Sequence, residues 1–493
     1  MSSAVHAVPD VAHALQWLRQ RGAVQLRTDS RQVQPGDAFI AWPGASTDGR
    51  AHVPNALARG AVACLVEQQG IAAFDLAGQQ IAALAGLKAA TGTLAAHWYG
   101  QASQRLKVLA VTGTNGKTST AWWLAHALPQ CAMVGTLGVG VAPNFVSTGM
   151  TTPDPVLLQS ALADFVAQGV QYCAMEASSI GIEEQRLAGV QVDTAIFTNL
   201  TQDHLDYHGS MQAYAQAKAR LFDWPGLRVA VLNVDDAFGR TLAEQLQQQR
   251  PSVDVWTVAV ERPARLRAVD VHHGAQGLAF TLQEGEQRLP MQTALIGQYN
   301  ISNLLGVLAA LRGLGLDLAQ AAQACAHLQP VPGRMQQIAL PGQPLVAVDY
   351  AHTPDALQQA LSALRPLAHA RGGRLWCVFG CGGNRDASKR PLMGQAAEQA
   401  ADAVLVTSDN PRMEAPEAIA QDILAGMRAG TACVLDRAQA IAQAIAQADA
   451  RDVVLLAGKG HEDYQDIQGV KRPFSDKEQA QQALLLRQES TTP

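Results

Sequence analysis

Cysteine is scarce in this sequence, and its distribution excludes two common uses of the residue. Seven cysteines occur in 493 residues, an odd number that is scattered along the chain without a Cys-x-x-Cys pair. A disulfide framework needs paired cysteines at close spacings, and a structural zinc site needs them clustered. The sequence therefore indicates neither.

Long apolar runs and an excess of basic residues are also missing. Lys88 interrupts even the Ala-rich stretch 81–98, and no stretch reaches the ~18 continuous apolar residues of a membrane helix. The first ten residues have no basic segment followed by an apolar one, so we expect no signal peptide. The net charge of −5 disfavours a dedicated duplex-DNA binder. We expect a cytoplasmic enzyme with no nucleic-acid partner, no membrane insertion and a monomeric state.

Length and patterning predict three α/β domains. At ~150 residues per domain, 493 residues correspond to about three. Short apolar runs alternate with Ala/Leu/Gln-rich helical stretches, which is typical of α/β folds with largely parallel sheets. A polar break near residue 100 and a Pro/Gly-rich turn near 335 predict domains 1–100, 101–335 and 336–493. The predicted strands, chosen as apolar runs before loops, are 108–112, 172–175, 195–198, 228–232, 375–379, 403–407 and 453–456.

A glycine-rich loop follows the strand predicted at 108–112. Gly113-Thr-Asn-Gly-Lys-Thr118 stands between that strand and a helical stretch. Glycines allow backbone N–H groups to close around phosphate oxygens, and a helix N-terminus adds a positive dipole end. Lys117 would reach the β/γ-phosphates and Thr118 would offer its hydroxyl to Mg²⁺. The alternative is a glycine turn with a surface lysine. The predicted nucleotide-binding residues are Gly113, Thr114, Asn115, Gly116, Lys117, Thr118 and Ser119.

The loop is two residues shorter than the common GxxxxGK[ST] form, and in this respect it resembles the Mur ligase family. That family comprises ATP-dependent amide-forming enzymes of peptidoglycan precursor synthesis. Further segments match the family in the same order along nearly the whole chain. They are TDSR at 28–31, TTPD at 151–154, MEASS at 175–179, TNLTQDHLDYH at 198–208, GQYN at 297–300, GRM at 333–335, DYAHTP at 349–354, DNPR at 409–412 and GKGHE at 458–462.

The resemblance implies an architecture and a reaction. It implies a central P-loop ATPase-like parallel sheet, an N-terminal domain for a uridine nucleotide and a C-terminal Rossmann-like domain. The implied reaction is ATP-dependent ligation of meso-diaminopimelate to UDP-N-acetylmuramoyl-L-alanyl-D-glutamate through an acyl-phosphate intermediate. Its partners would be ATP, the UDP-muramyl dipeptide and the amino acid, with Mg²⁺ as cofactor. Further nucleotide-site residues implied by the resemblance are Asn300, Arg334, Asp349 and His352.

The implied catalytic residues are Lys117, Glu176, His204 and Lys218. Glu176 and His204 each follow a predicted strand, at the edge where open α/β sheets bind ligands. With Thr118, they would hold Mg²⁺ beside the phosphates. Taken alone, His204 is more often a structural histidine, and only the resemblance favours a metal ligand.

Lys218 lies on an apolar helical stripe. Residues 211, 214, 215, 218, 221 and 222 share one face of a predicted helix, and all except Lys218 are apolar or aromatic. One interpretation is a lysine whose stem is buried and whose charged head is solvated. The resemblance implies instead that CO₂ carbamylates Lys218, giving N6-carboxylysine, an anion that can support Mg²⁺. Burial favours the neutral amine that this reaction needs.

The segment Asp409-Asn410-Pro411-Arg412 resembles the family's diaminopimelate-recognition pattern. Alone, this tetrapeptide is also a plausible Asx/Pro turn. Arg412 can bind a carboxylate bidentately, and Asp409 can accept hydrogen bonds from an ammonium. Diaminopimelate has both groups at its distal end, whereas lysine lacks that carboxylate. Arg385, Gly458 and Glu462 match further amino-acid-binding positions.

The resemblance also implies contacts with the UDP-linked substrate. Two departures occur there: Ile180 stands where many members have His, and Glu184 where many have Gln. Glu184 would repel the substrate's phosphates or carboxylate. The residues implied in UDP-substrate binding are Thr28, Ser30, Ala45, Ser46, Thr47, Thr151, Thr152, Ser178, Glu184 and Arg186.

Three alternatives remain at this level. A lysine-adding ligase of the same step is disfavoured by Arg412. A folylpolyglutamate synthetase shares the shortened loop but is disfavoured by the 28–31 and 409–412 segments. A non-catalytic ATP-binding regulator would lack phosphate or metal residues, and here they are all present.

Overall fold

The computed structural model describes residues 5–44, 47–274 and 277–491. The chain folds as two compact units. The first contains Met1–Thr112, Leu124–Ile196 and Ala217–Ala230, and the second contains Gly113–Trp123, Phe197–Gln216 and Val231–Pro493. The boundaries near 100 and 335 stay a prediction. None of the described helices is both long and apolar enough to cross a membrane.

The N-terminal stretch forms a parallel sheet with both faces covered. Its strands are β1 His6–Ala7, β2 Leu26–Arg27, β3 Ala38–Ala41, β4 Ala63–Glu67 and β5 Ile81–Leu84, and its helices are α1 Val11–Gln20, α2 Val53–Ala58 and α3 Leu87–Trp98. The strand order is β1-β5-β4-β3-β2. Ile40 and Leu65 face one core while Phe39 and Cys64 face the other. Side chains alternate along a strand, so continuous apolar runs are required here.

The middle stretch contains the strand that leads to the phosphate loop. Its strands are β6 Lys107–Thr112, β7 Cys131–Gly135, β8 Gly138–Val141, β9 Asn144–Val146, β10 Tyr172–Glu176, β11 Thr194–Phe197, β12 Val229–Asn233, β13 Asp254–Ala259, β14 Leu266–Gly274, β15 Gly277–Glu284 and β16 Gln287–Thr293. Its helices are α4 Lys117–Ala127, α5 Pro155–Ala167, α6 Ser179–Glu183, α7 Leu205–His208, α8 Met211–Ala219, α9 Ala237–Gln249, α10 Gln298–Gly313 and α11 Leu318–Cys325.

In the first unit, β6 is parallel to β10, which in turn is parallel to β7, and β8 and β9 continue antiparallel. Because β6 and β10 are in register, Glu176 at the end of β10 lies opposite Val111 of β6. In the second unit, β13 pairs with β14, and β14, β15 and β16 form an antiparallel meander.

The C-terminal stretch forms a second two-faced sheet. Its strands are β17 Gln336–Ile338, β18 Leu345–Asp349, β19 Leu375–Phe379, β20 Ala403–Val406, β21 Ala432–Cys433, β22 Val453–Ala457, β23 Tyr464–Ile467 and β24 Val470–Pro473. Its helices are α12 Pro354–Arg371, α13 Lys389–Ala400, α14 Pro416–Leu424, α15 Arg437–Gln447 and α16 Asp476–Thr491. The order is β17-β18-β22-β19-β20-β21, parallel except for β17, and β23 and β24 form a separate hairpin.

The predicted strands and the parallel α/β class are confirmed. All seven strands exist, and 375–379 is reproduced without change. The other six differ from the prediction by one residue at one or both ends, and Thr198 and Thr407, for example, fall outside β11 and β20. At Thr198 the hydroxyl donates to the Asn115 carbonyl at 2.6 Å, so this residue already belongs to the loop.

Candidate active site

Hydrogen bonds within the second unit fix the shape of the loop from Gly113 to Gly116. The Asn115 N–H donates to Asn199 Oδ1 at 2.9 Å, and the Thr114 hydroxyl donates to the Thr201 carbonyl at 3.1 Å. Gly113 and Gly116 have φ of +147° and +87°. A side chain at Gly116 would collide with Asn303. The two glycines are therefore required by both backbone conformation and space.

Two cations are close to this loop in the second unit. Lys117 begins α4, and its ammonium donates to the carbonyls of Gly113 and Thr114 at 2.9 and 2.8 Å. The Arg334 guanidinium donates to the Thr118 hydroxyl at 3.2 Å and stacks 4.2 Å above the Tyr350 ring. The next predicted loop residue, Ser119, is buried in α4. This arrangement concentrates positive charge and N–H donors, which suits polyphosphate.

Asp203 joins two of the predicted site histidines. Its carboxylate lies 3.5 Å from His204 Nε2 and 3.6 Å from His352 Nε2, and Lys389 Nζ is also at 3.6 Å. Burial acts to raise the pKa of Asp203, but His352, His204 and Lys389 outweigh it and hold that pKa well below its usual range. Asp203 and Lys389 are not among the site residues predicted from the sequence. The sequence does contain one indication of Asp203, because this carboxylate directly precedes the candidate ligand His204.

The other predicted nucleotide-site residues are buried in the second unit. Asn300 lies in the first turn of α10 and donates to the Ile296 carbonyl at 2.7 Å. Asp349 ends β18 and accepts the Met335 N–H at 2.7 Å. Burial raises the pKa of Asp349, partly opposed by the charge of Arg334. These contacts attach the segment around Arg334 to the end of β18.

Glu176 lies in the first unit and its side chain is fully buried. Its carboxylate accepts the Thr136 N–H at 2.7 Å and the Thr136 hydroxyl at 3.3 Å. Thr151 and Thr152 are beside it: the Thr151 hydroxyl is 3.0 Å from that of Thr136, and Thr152 donates to the Glu176 carbonyl at 2.7 Å. Ser178 caps α6 and lies 3.0 Å from the Thr152 hydroxyl.

Arg186 and Thr28 approach the same 151–154 segment of the first unit. Arg186 donates to the Thr152 carbonyl at 2.9 Å. Burial raises the pKa of Asp154, and a hydrogen bond with the Thr28 side chain partly opposes this rise. Four implied UDP-substrate residues, Thr151, Thr152, Ser178 and Arg186, are thus linked by hydrogen bonds, and Thr28 reaches Asp154.

The remaining implied UDP-substrate residues are placed differently. Glu184 forms an ion pair of 2.6 Å with Lys88 of α3, so its charge is offset within the first unit. Ser30 is buried in a short 3₁₀ helix, and Thr47 is exposed with its hydroxyl 3.4 Å from His52 Nε2. Ala45 and Ser46 lie outside the described residues.

Lys218 lies near the end of α8 and is only 1% exposed. Tyr214, Ala215, Leu221 and Phe222 on the same stripe are buried as well, which confirms the predicted apolar face. The interpretation of Lys218 as a lysine with a solvated head is wrong. The preceding residue along the chain, Ala217, is also only 1% exposed.

The loops after β20 and β22 form an acidic cluster within the second unit, which we call the amino-acid cluster: Asp409, Asn410, Lys459 and Glu462. Asn410 donates to Glu462 Oε2 at 2.8 Å. Lys459 donates to Asn410 Oδ1 and Glu462 Oε2, both at 3.0 Å, and lies 3.5 Å from Asp409. Gly458 has a φ of +118°, which L side chains rarely adopt, and a methyl group there would also be 3.2 Å from the Asp409 carboxylate.

Arg412 continues this region with a positive charge. Its guanidinium donates to the Gly383 carbonyl at 2.7 Å, and its backbone has a φ of +52° after the buried Pro411. Arg385 is exposed and donates to the Asn384 carbonyl at 3.1 Å. Gly382 has Arg412 and the Arg385 side chain as its neighbours. Both guanidinium-bearing side chains therefore lie at one loop.

Three family models match consecutive stretches of the chain. The Mur ligase family catalytic domain matches residues 24–99, the Mur ligase middle domain matches 111–311 and the Mur ligase glutamate ligase domain matches 333–460.

Two relatives from Acidovorax sp. (strain JS42) and Janthinobacterium sp. (strain Marseille) are both named UDP-N-acetylmuramoyl-L-alanyl-D-glutamate–2,6-diaminopimelate ligase. The first is 61% identical, covering 98% of this chain and 99% of the relative; the second is 46% identical, covering 97% of each. A solved structure of a ligase with the same name is 38% identical, with a TM-score of 0.64 over 94% of this chain and 95% of that one. The chain belongs to the Mur ligase family.

Proposed function

We propose that this protein is an ATP-dependent acid–amino-acid ligase that joins meso-diaminopimelate to UDP-N-acetylmuramoyl-L-alanyl-D-glutamate in peptidoglycan precursor synthesis. The observation that carries the proposal is that Asp409 and Glu462 lie in one cluster beside a loop bearing Arg412. Such a cluster suits an amino acid whose distal end has both an ammonium and a carboxylate. Full-length similarity to the named ligases supports it.

In the proposed reaction, ATP binds at the glycine-rich loop 113–118. Lys117 already interacts with the carbonyls of its own loop, and phosphate oxygens of ATP would replace those partners. Arg334, beside Thr118, would add a second cation. These charges stabilise the negative charge that spreads over the γ-phosphoryl oxygens during transfer.

The proposed chemistry activates a carboxylate before amide formation. The substrate carboxylate attacks the γ-phosphorus, ADP leaves with the electron pair of the broken P–O bond, and an acyl phosphate forms. The amine of diaminopimelate then attacks the acyl carbon, inorganic phosphate leaves and the amine loses a proton. An acyl phosphate hydrolyses readily, so water must be excluded from it.

Mg²⁺ fits the donor types that this chain offers. Among the described residues, no group of three His, Cys, Asp or Glu side chains could hold a metal on its own. Mg²⁺ is usually bound by one or two carboxylates together with substrate phosphates and water, so such a group is not required. We propose Thr118, the buried Glu176 and His204 as its protein ligands. When bound, the ion neutralises phosphoryl charge.

We also propose that Lys218 carries a CO₂-derived carbamate. The neutral amine attacks the carbon of CO₂, a C–N bond forms and the amine loses a proton. A buried lysine favours its neutral form, and Lys218 is 1% exposed. The product exchanges a buried cation for an anion with two oxygen ligands for Mg²⁺.

Domain roles and substrate contacts complete the proposal. We propose that 1–100 binds the UDP moiety, 101–335 binds ATP and 336–493 binds the amino acid. The UDP-substrate contacts are proposed at Thr28, Ser30, Ala45, Ser46, Thr47, Thr151, Thr152, Ser178, Glu184 and Arg186, and the diaminopimelate contacts at Arg385, Asp409, Asn410, Pro411, Arg412, Gly458 and Glu462.

Phosphate release tests this function. The purified protein is supplied with ATP, Mg²⁺, the UDP-muramyl dipeptide and one amino acid at a time: meso-diaminopimelate, lysine or glutamate. We expect phosphate release only when the nucleotide substrate and diaminopimelate are both present, with a product heavier by one diaminopimelate residue. Equal rates with lysine and diaminopimelate would contradict selectivity for diaminopimelate, and phosphate release with lysine but without diaminopimelate use would replace the proposal with a lysine-adding ligase. Phosphate release without any amide product would contradict ligase activity.

A further inference from the structure

A buried ammonium lies inside the amino-acid cluster. Lys459 follows β22 by two residues, and its side chain is 0% exposed. The ammonium has three N–H donors, and its close acceptors are Asn410 Oδ1 and Glu462 Oε2 at 3.0 Å and Asp409 Oδ1 at 3.5 Å. Burying a charge costs free energy unless it is paired. Here three acceptors from two loops provide that pairing.

The sheet order makes this contact a link between two loops whose strands are not adjacent in the sheet. The strand β19 separates β20 from β22, so no ladder of backbone hydrogen bonds joins the strands that lead to Asp409 and Gly458. Lys459 spans this separation through side chains. The hairpin strand β23 adds two further bonds, from Gln465 to the Asp409 carbonyl and from the Asp466 N–H to Asn410 Oδ1, both at 2.9 Å.

We propose that Lys459 is a positioning residue for the amino-acid substrate. This inference rests on the proposed function of the cluster. Because Lys459 has no exposed surface, it acts through Asn410 and Glu462, whose polar groups it orients. It also offsets one of the two carboxylate charges, so that the cluster retains one negative charge for one substrate ammonium.

The other buried cation nearby, Arg437, is paired with a different carboxylate. The Arg437 side chain is also 0% exposed, but Asp476 accepts two of its hydrogen bonds at 2.7 Å and balances its charge. Lys459 is thus the cation that donates directly to Glu462. Loss of its ammonium takes away the cation that both Asp409 and Glu462 face, and this alters what the cluster can accept.

A purely structural role predicts a different kinetic signature. A lysine needed only for stability would lower the unfolding temperature and reduce kcat for every substrate combination. A positioning role predicts a higher KM for diaminopimelate, with little change in the KM values for ATP and the UDP-muramyl dipeptide. The three KM values therefore separate the two roles.

The test compares Lys459→Met with Lys471→Met. Lys471 is a matched control because it is exposed, lies on the next hairpin strand and stacks 4.1 Å from the Tyr464 ring, which Lys459 approaches at 5.6 Å. We expect Lys459→Met to raise the KM for diaminopimelate by about tenfold or more. The other two KM values should change by less than about twofold on the same scale, and Lys471→Met should behave as wild type. A uniform change in all three would overturn the inference.

A double variant keeps the test decisive if Lys459→Met folds poorly. Lys459→Met combined with Glu462→Gln removes both charges of the 3.0 Å ion pair between these two side chains. If Lys459 acts through Glu462, the double variant should have nearly the KM for diaminopimelate of Glu462→Gln alone. Independent, multiplying effects would overturn the inference while leaving the ligase function intact. A wild type without activity on diaminopimelate would instead overturn the proposed function, and this inference with it.

Discussion

Arg437 and Asp476 form an ion pair with no exposed side-chain surface, and this pair anchors the starts of two loops. Arg437 Nε and Nη2 each donate to the Asp476 carboxylate at 2.7 Å. The same guanidinium donates to the carbonyls of Ala457 and Ser408 at 2.9 and 3.2 Å. These carbonyls stand immediately before the loops of the amino-acid cluster. One side chain thus holds the ends of β20 and β22 at fixed positions.

We predict that Arg437→Met lowers the free energy of unfolding by about 3–5 kcal/mol, because Asp476 is left as a buried charge without its partner. Chemical denaturation followed by circular dichroism measures this. Arg451→Met is the control, since Arg451 forms an exposed pair with Asp449 and should change the unfolding midpoint little. Equal midpoints for the two variants would contradict the anchoring role.

The sheets and the helical stripe of Lys218 were predictable because they depend on local periodicity. Seven apolar runs became strands, and the 3.6-residue period placed Lys218 on the apolar face. The depth of burial was not predictable from that pattern. A lysine stem on an apolar stripe is compatible with a solvated head, and only the packing of residues distant in sequence decides between the two.

Lys117→Ala should reduce ATP-dependent phosphate release by at least about 10²-fold, because the loop loses the cation that faces the phosphates. Lys107→Ala is the matched control: Lys107 begins the strand that leads to this loop, and it pairs with Asp193 in a partly exposed position. Steady-state assays at saturating ATP measure both variants. Near-wild-type turnover of Lys117→Ala would remove the nucleotide role from this loop.

Lys218→Ala should lose most activity and regain part of it when formate or acetate is added, because a small carboxylate can replace the carbamate. The control is Lys218→Arg, which keeps a cation but cannot form a carbamate and should not be rescued. Depleting CO₂ from the wild-type preparation should also lower its activity. Rescue that is equal for both variants, or absent for both, would argue against a carbamate at Lys218.

Lys88→Ala should raise the KM for the UDP-muramyl dipeptide by roughly threefold to fivefold, because Glu184 then presents an uncompensated negative charge to an anionic substrate. Glu184→Gln added to Lys88→Ala should restore a KM close to wild type. The KM for ATP serves as the internal control and should stay constant. If the double variant remained as impaired as Lys88→Ala, charge compensation would not be the role of Lys88.

The partner of Glu184 and the burial of Lys459 were not predictable from the motifs, because both depend on side-chain pairs between distant segments. The sequence marks Glu184 as an unfavourable charge, but its partner Lys88 lies in another helix, α3. Lys459 stands between two glycines, a pattern that is typical of an exposed loop residue. Its burial depends on acceptors from Asp409, Asn410 and Glu462, which meet only in the folded sheet.

Selectivity between diaminopimelate and lysine tests the central claim most directly. The measurement is kcat/KM for both amino acids with wild type and Arg412→Ala, at saturating ATP and UDP-muramyl dipeptide. Wild type should prefer diaminopimelate by about 10⁴-fold, because lysine leaves the Arg412 guanidinium without its carboxylate partner. Arg412→Ala should remove most of that preference by lowering diaminopimelate use and leaving residual lysine use nearly unchanged. A wild type that uses both amino acids equally, or a variant that loses both in proportion, would contradict the account.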